Sequence, residues 1–173
     1  MSTETRIYVA CLAAYNAGYL HGEWIEVTDT DSINEQVQAM LKASPIPNAE
    51  EWAIHDYEGF GSYSVSEYSG FETLCEVAEF IQEAGEELAG ELVSHFGGNI
   101  EEAREAFTEN YQGEFDDLGD YAESFSEDCG DLASVPERYR NYIDFDAIGR
   151  DMDLNGDIFT IEDGSKIHVF WSR

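Results

Sequence analysis

Apolar residues recur at two different spacings along the chain, and each spacing predicts its own secondary structure. Short apolar runs near the N-terminus predict three strands, at residues 6–12, 20–27 and 51–57. Between the second and the third strand, Ser32 and Glu35 have the spacing of a capping box, which predicts a helix that begins at Ser32. Apolar residues then recur on one face of this predicted helix until two prolines end it. The first sixty residues are therefore predicted to form a small α/β unit.

The middle of the chain has helical periodicity. Four successive stretches carry an apolar stripe at intervals of three and four residues, beginning at Phe71, Leu88, Ala103 and Leu118. Gly85 separates the first two stretches, and a pair of glycines ends the second, because glycine commonly terminates helices. Asn99 is expected to cap the third helix. A run of four helices is therefore predicted between residues 71 and 129.

The C-terminal part is predicted to combine a fifth helix with a hairpin. The helix is expected at residues 136–149, with Tyr139 and Tyr142 on its buried face. Beyond it, two alternating runs flank Asp163 and Gly164, a strong signal for a hairpin turn. Together these patterns predict an α+β protein, and we expect three small domains. They are an N-terminal α/β domain with a short sheet at residues 1–62, a central acidic helical domain at residues 63–110, and a C-terminal domain of helices plus a hairpin at residues 111–173.

The charge balance excludes some functions and leaves others open. The 173 residues include 38 acidic and 8 basic ones, for a formal net charge of −30 at pH 7, yet 43% are hydrophobic. That apolar content is enough to bury a core, so the chain is expected to fold despite its self-repulsion. The scarcity of basic residues disfavours direct binding to nucleic acid. The acids could imitate a polyanion, coordinate cations, or keep the protein soluble in high salt.

The acids are concentrated in the middle of the chain. Residues 43–137 hold 25 acids and a single base, Arg104, whereas residues 138–173 hold 7 acids and 5 bases. Adaptation to high salt would spread acids over every surface, so this clustering argues against it. Like charges four residues apart on a helix cost about 0.2–0.5 kcal/mol per pair, and the sequence repeats them on four predicted helices. The candidate partner-binding carboxylates, which would imitate phosphates, are Glu72, Glu76, Glu79, Glu83, Glu87, Glu91, Glu101, Glu105, Glu109, Asp117, Asp120, Glu123 and Glu127.

The spacing of these acids favours imitation of DNA. With a rise of ~1.5 Å per residue, an acid at every 3.5 residues places one charge per ~5 Å along a helix. A DNA strand carries one charge per ~3.4 Å, so two or three such helices side by side approach the charge density of a duplex. Carboxylates also accept hydrogen bonds from Arg and Lys much as phosphate oxygens do. The charge pattern therefore predicts a polyanion mimic.

The main alternative is calcium binding. Residues 151–162 match the EF-hand loop pattern, with ligand types at positions 1, 3, 5 and 12 and glycine at position 6. However, the predicted hairpin uses the same residues, and its turn stands where an EF-hand needs an exit helix. We therefore expect no metal site and no cofactor there, and keep an acidic calcium-binding protein as the alternative function.

No motif predicts catalysis. The chain has no G-x-S-x-G, no phosphate-binding loop and no H-E-x-x-H, and the adjacent His55 and Asp56 are expected to be structural. Three distant cysteines without a C-x-x-C pair indicate neither a disulfide framework nor a zinc site. The first residues lack the pattern of a signal peptide, and no apolar run is long enough to span a membrane. A non-enzymatic protein of the cytoplasm is therefore expected.

Four stretches carry a resemblance to a known family. They are RIYVACLAAYNAGYLHGEWIEV at residues 6–27, AIHDYEGF at residues 53–60, GGNIEEAREAFTENYQGEFDDLGDYAE at residues 97–123 and VPERYRNYIDFDAIGRDMDLNGDIF at residues 135–159. These stretches resemble the ArdA antirestriction proteins of conjugative plasmids and transposons. The third is similar to the segment named the antirestriction motif in that family. Together they span residues 6–159, which is nearly the whole chain.

The resemblance implies an elongated, three-domain DNA mimic that forms a homodimer and imitates bent B-form DNA. It implies a partner, the methyltransferase and specificity core of a type I restriction-modification enzyme, and a role in protecting incoming plasmid DNA from the host. From the charges, we expect the dimer to form in the C-terminal part, where net charge is lowest. The candidate dimer contacts are Tyr139, Tyr142, Phe170 and Trp171.

Overall fold

The computed structural model describes residues 4–172 and shows a mixed fold. Helix accounts for 49% and strand for 21% of the chain, and the strands form two separate three-stranded antiparallel sheets. The predicted α+β class is therefore confirmed. The chain divides into two compact units, Met1–Ile100 and Glu101–Arg173, which contain one sheet each.

The sheet of the first unit has the strand order β2-β1-β3. Its strands are β1 (Arg6–Cys11), β2 (Gly22–Glu26) and β3 (Trp52–Glu58). They confirm the three strands predicted from apolar runs, with each end within two residues of its predicted position. The central strand β1 buries Ile7 and Val9 on one face, as expected for a strand of period two that covers a core.

Two helices connect these strands. A short helix, α1 (Leu12–Asn16), lies between β1 and β2, and the sequence pattern does not predict it. The longer α2 (Thr30–Lys42) begins after Asp29, whose carboxylate accepts a hydrogen bond from the backbone N–H of Ser32 at 2.8 Å. The prediction that Ser32 caps this helix is therefore wrong. Asp29 takes that position because its side chain satisfies a free N–H of the first turn.

Three further helices follow. They are α3 (Phe71–Ala84), α4 (Glu86–His95) and α5 (Ile100–Glu105), the last of which continues into a π-helical turn, Ala106–Asn110. The predicted break at Gly85 is confirmed, and its φ of 92° is one that side-chain-bearing residues rarely adopt. Within residues 4–172, no helix is both long enough and apolar enough to cross a membrane.

Contacts inside the first unit cross the domain boundary predicted at residue 62. The ring of Trp52 stacks on the ring of Phe71, with centroids 4.7 Å apart. The N–H of Gly61 donates a hydrogen bond to the Glu86 carboxylate at 3.1 Å. The first sheet and helices α3 and α4 thus belong to one unit. The finer division into three domains and the elongated shape stay predictions.

The sheet of the second unit has the strand order β4-β6-β5. Its strands are β4 (Tyr111–Phe115), β5 (Ile158–Asp163) and β6 (Lys166–Trp171). The predicted hairpin is confirmed, although Asp163 pairs with Lys166, so that Gly164 and Ser165 form the turn. No sequence pattern predicts β4, because a register shift beside Gly113, whose φ is 123°, interrupts the alternation of side chains.

Helices α6 (Leu118–Asp128) and α8 (Phe145–Leu154) pack together in the second unit. Gly149 permits their close approach, because a Cβ there would overlap a backbone carbonyl oxygen at the start of α6. Tyr121 of α6 packs with Val169 of β6 in the core of this unit. Helix α6 thereby confirms the fourth predicted helix.

The fifth predicted helix, at residues 136–149, is wrong. The chain forms the short α7 (Glu137–Arg140) and then begins α8 after Asp144, whose carboxylate accepts a hydrogen bond from a first-turn N–H at 3.0 Å. Tyr139 and Tyr142, predicted to be buried, are 52% and 85% exposed. The aspartate divides the predicted helix because its side chain competes for the backbone N–H groups that a continuous helix would use.

Candidate functional site

The outer face of α3 carries a row of exposed carboxylates. Its four glutamates, at intervals of four, three and four residues, are Glu72, Glu76, Glu79 and Glu83, and we call them the α3 acid row. The opposite face buries an apolar stripe that includes Leu74 and Ala78. Burial of this stripe turns the glutamates toward solvent, since an unpaired carboxylate is costly to bury. The predicted exposure of this row is therefore confirmed.

Helix α4 presents fewer carboxylates than predicted. Glu87 is exposed, but Glu91 is half-buried. Glu86 is used within the fold, where its side chain accepts the hydrogen bond from Gly61. Gly90 faces the same loop, and a Cβ on it would lie 2.6 Å from the Ser62 hydroxyl oxygen. Close packing of α4 against this loop therefore leaves Glu87 as its most accessible predicted carboxylate.

The predicted carboxylates of the second unit are all exposed. Those of α5 and the π-helical turn are Glu101, Glu105 and Glu109, and those at α6 are Asp117, Asp120, Glu123 and Glu127. Two of them also stabilise the start of α6. The Asp117 carboxylate accepts a hydrogen bond from the N–H of Asp120 at 2.8 Å, and the Asp120 carboxylate accepts one from the N–H of Asp116 at 3.3 Å. These two groups keep fewer lone pairs for a partner than Glu123 and Glu127.

The N-terminal ends of α6 and α8 meet at an acidic depression of about 440 Å³. Its carboxylates belong to Asp116, Asp117, Asp120, Glu123, Asp144 and Asp146. Sequence reasoning missed Asp116, Asp144 and Asp146, although an aspartate before an apolar helical stripe is a recognisable capping signal. Such a concave set of hydrogen-bond acceptors is suited to cationic side chains.

A lysine side chain lies beside this acidic depression and pairs with one of its carboxylates. The Lys166 ammonium lies 2.8 Å from the Asp116 carboxylate. The hydrogen bond to Asp116 and the charge of that carboxylate raise the pKa of Lys166, so its positive charge is secure at neutral pH. This ion pair is exposed and therefore contributes little to stability.

A comparison with protein families finds a match over most of the chain. The family model described as antirestriction protein (ArdA) matches residues 7–166, which include the first sheet almost completely, strands β4 and β5 of the second sheet, and every helix from α1 to α8. The chain belongs to the ArdA family. It is therefore an antirestriction protein, and the resemblance noted in the sequence is confirmed. A comparison with curated proteins found no match.

The EF-hand pattern of this ArdA-family chain does not form an EF-hand loop. Asp151 and Asp153 lie in α8, whereas Glu162 lies in β5, so the helix and the hairpin divide the pattern between them. Nowhere in residues 4–172 do three or more His, Cys, Asp or Glu side chains come together in a group that could hold a metal ion. The calcium alternative therefore lacks the loop on which it depends.

The side chains that sequence reasoning weighed for catalysis are not arranged as an acid-base pair. The Asp56 carboxylate accepts a hydrogen bond from the N–H of Tyr57 at 2.9 Å, while the exposed His55 ring meets the edge of Tyr15 at 5.0 Å. All three cysteines are free. Burial, followed by nearby carboxylates, raises the pKa of the Cys75 thiol, which opposes formation of a nucleophilic thiolate.

The predicted dimer contacts of this family member differ in accessibility. Tyr139 and Tyr142 are exposed, and Trp171 is half-buried. Phe170 is fully buried within its own chain, where its ring stacks on Phe159 at a centroid distance of 5.0 Å. Phe170 is therefore wrong as a dimer contact, because the second sheet is covered on the face that this residue occupies.

An apolar depression of about 380 Å³ lies between α6, α8 and the segment that joins them. Its apolar lining is formed by Phe125, Leu132, Val135, Ile143, Phe145, Ile148 and Met152. Sequence reasoning missed this surface, because its residues come from positions up to 27 apart on three elements. Ile148 is 38% exposed, so part of this apolar surface faces solvent.

Proposed function

We propose that this antirestriction protein is a DNA mimic that occupies the DNA-binding groove of a type I restriction-modification enzyme. It would bind the methyltransferase and specificity core and so protect incoming plasmid DNA from the host. The observation that carries the proposal is the set of exposed carboxylates on the outer faces of α3, α4, α5 and α6. These helices belong to a segment with 25 acids and one base, a balance suited to a basic groove.

The geometry of the α3 acid row supports this proposal. Eleven residues separate Glu72 from Glu83, which corresponds to about 16 Å along the helix axis. Four charges over that distance lie about 5.5 Å apart, which is roughly three fifths of the linear charge density of a DNA strand with one phosphate per ~3.4 Å. More than one such row would therefore contribute to a full imitation of the duplex. Each carboxylate offers arginine and lysine the acceptor geometry that phosphate oxygens offer.

The energetic cost of the acids also supports a role outside folding. Glutamates three and four residues apart repel one another and destabilise the helix that carries them. Lysine at alternate positions would remove that cost without altering the buried stripe. Acids that lower the stability of the fold are expected in a sequence where they bind a partner.

The remaining properties follow from the same proposal. A charge mimic requires no catalysis and no cofactor, and it meets its target in the cytoplasm. We propose a homodimer through the second unit, with Tyr142, Tyr139 and the apolar depression around Ile148 as contacts. This surface combines exposed aromatic rings with apolar area, as interfaces between protein chains commonly do.

A competition experiment tests the proposal. The full chain is titrated onto a purified type I methyltransferase, with and without a duplex that carries the enzyme's recognition sequence. The chain and the duplex should exclude each other, and affinity should fall steeply as the Debye length shortens from about 10 Å at 0.1 M salt to about 3 Å at 1 M. A ternary complex of enzyme, duplex and inhibitor would contradict the proposal, as would an affinity that is independent of salt.

A further inference from the structure

A second depression lies in the first unit and contains no residue of the α3 acid row. It has a volume of about 360 Å³ and is lined by Tyr15 of α1, by Ile54, His55 and Tyr57 of β3, and by Val65 and Glu67 of the loop that follows β3. Its size is at the lower end of the range for small-molecule sites, which suits a single side chain. The DNA-mimic proposal gives these aromatic residues no role.

The walls of this depression are held in place by the fold. The N–H of Ile54 donates a hydrogen bond to the carbonyl oxygen of Glu67 at 2.9 Å, which ties the loop to the edge of β3. The loop is closed by a hydrogen bond from the N–H of Ser66 to the Ser69 hydroxyl at 2.8 Å. On the other side, Tyr15 and His55 meet edge to face at 5.0 Å. A ligand would therefore enter a largely preformed site.

The lining combines exposed aromatic rings with one carboxylate. Tyr15 is 55% exposed, Tyr57 is 36% exposed, and Glu67 is exposed. Aromatic faces attract cations through the ring quadrupole, and a neighbouring carboxylate adds a hydrogen-bond acceptor with a full charge. Two bases of the first unit are accounted for elsewhere, since Arg6 pairs with Glu58 and Lys42 ends α2. The chemistry of the depression is therefore that of a site for a cation.

The same sheet already holds one of its own arginines in this way. The guanidinium of Arg6 lies over the ring of Trp24, 5.5 Å from its centroid, and forms an ion pair with Glu58. An aromatic face and a carboxylate are thus sufficient to bind a guanidinium on this surface. In the depression, the corresponding groups are the tyrosine rings and Glu67, with no arginine of the lining to fill them.

We propose that this depression binds one arginine side chain of a basic protein partner. The planar guanidinium stacks on a tyrosine ring and donates hydrogen bonds to the Glu67 carboxylate. Arginine fits better than lysine, because its flat, weakly hydrated group stacks on aromatic rings and offers paired donors. The identity of the partner, the restriction enzyme, rests on the proposed function, whereas the chemistry of the ligand rests on the depression alone.

A titration without any enzyme tests the ligand chemistry. The full chain, labelled for nuclear magnetic resonance, is titrated with N-acetyl-arginine amide, and in parallel with N-acetyl-citrulline amide, its uncharged analogue of the same shape. The ring resonances of Tyr15, Tyr57 and His55 should shift with the arginine compound only. Glu67→Gln should weaken this binding about fivefold, whereas Glu72→Gln, the matched change in the α3 acid row, should leave it unchanged. Equal shifts with citrulline, or arginine shifts spread over the acid rows without preference for these rings, would overturn the proposal.

A second arm tests the partner. Tyr15→Leu and Glu67→Gln should each weaken binding of the chain to a type I methyltransferase about fivefold, mainly through faster dissociation, with folding checked by circular dichroism. Part of the Tyr15→Leu effect should persist at high salt, because stacking is screened less than long-range attraction. Unchanged affinity of both variants would overturn the assignment of this partner. Failure of the unsubstituted chain to bind the methyltransferase would instead overturn the proposed function, and the titration would still decide the inference.

Discussion

Replacing all four glutamates of the α3 acid row by glutamine should weaken binding to the restriction enzyme and at the same time stabilise the chain. The two effects have opposite signs because the carboxylates repel one another on the helix, whereas they attract a basic partner. Glutamine has nearly the size and the helix propensity of glutamate, so the substitution changes little besides charge. The row is exposed, so its replacement leaves the buried stripe of α3 intact.

The gain in stability follows from the spacing of the row. Its members form three neighbouring like-charge pairs, and removal of about 0.2–0.5 kcal/mol per pair amounts to about 0.6–1.5 kcal/mol. Glu72 lies in the first turn, where a negative charge favours the helix dipole, so its loss offsets about 0.3–1 kcal/mol. Glu83 lies in the last turn, where a negative charge is unfavourable, so its replacement by glutamine stabilises the helix by a similar free energy. The free energy of unfolding should therefore rise slightly.

The loss of binding should be larger and should depend on salt. An exposed carboxylate at the rim of an interface contributes about 1 kcal/mol or less, so four together contribute up to about 4 kcal/mol, or up to about a thousandfold in Kd. Most of the change should appear in the association rate, because long-range attraction steers the encounter. The difference between the variant and the unsubstituted chain should shrink as salt rises.

The measurements are binding kinetics on a type I methyltransferase, inhibition of ATP-dependent cleavage, and urea unfolding followed by circular dichroism. A matched control replaces four exposed acids outside the predicted set by their amides, namely Glu23, Glu26, Asp31 and Glu35. This control has the same net charge as the row variant, so it separates the position of the charges from their sum.

Two results would refute the reasoning. Equal loss of inhibition in the row variant and in the control would mean that only total charge matters. Loss of all inhibition on Glu72→Gln or Glu79→Gln alone, in a folded chain, would indicate a discrete site in place of a distributed charged surface.

Four other substitutions test the second unit, with Gly70→Ala in the first unit as a control. Gly149→Ala should lower the free energy of unfolding, measured by urea titration, by about 1–3 kcal/mol, because the added Cβ would overlap the start of α6. Gly70→Ala should be tolerated in the same titration, because the atom nearest to the added Cβ is 4.0 Å away. Tyr142→Ser should shift light scattering toward the monomer without loss of fold, while Phe170→Ala, at a fully buried position, should destabilise the chain by about 3–5 kcal/mol. Burial raises the pKa of Tyr121 from 10.0, the ordinary value for tyrosine, to about 12. The contribution of Tyr121 to stability is therefore complete below about pH 10 and is lost as pH rises through about 12. Tyr121→Phe should flatten that alkaline loss in urea unfolding, and an unchanged slope would contradict the assignment.

The sequence by itself determined the elements whose signals are local. The acids and apolar residues of α3 alternate at helical spacing, so burial of the stripe necessarily exposes the α3 acid row. Gly85 ends α3 because its backbone conformation is open to glycine, and the turn at Gly164 forms between two alternating runs. Net charge and its clustering are likewise properties of the sequence alone, and they predict a polyanion mimic without knowledge of the fold.

The tertiary structure decided which surfaces are covered. Val169 and Phe170 are adjacent and both fully buried, so both faces of β6 are covered, and no alternation along the strand could reveal it. Tyr142 is exposed because Asp144 starts a new helix beside it. The acidic depression at the ends of α6 and α8 joins residues distant in the sequence, as does the aromatic one between Tyr15 and Glu67. The periodicity of apolar residues indicates which residues share a face of one helix or strand. Whether that face is buried depends on which other element packs against it, and that packing exists only in the folded chain.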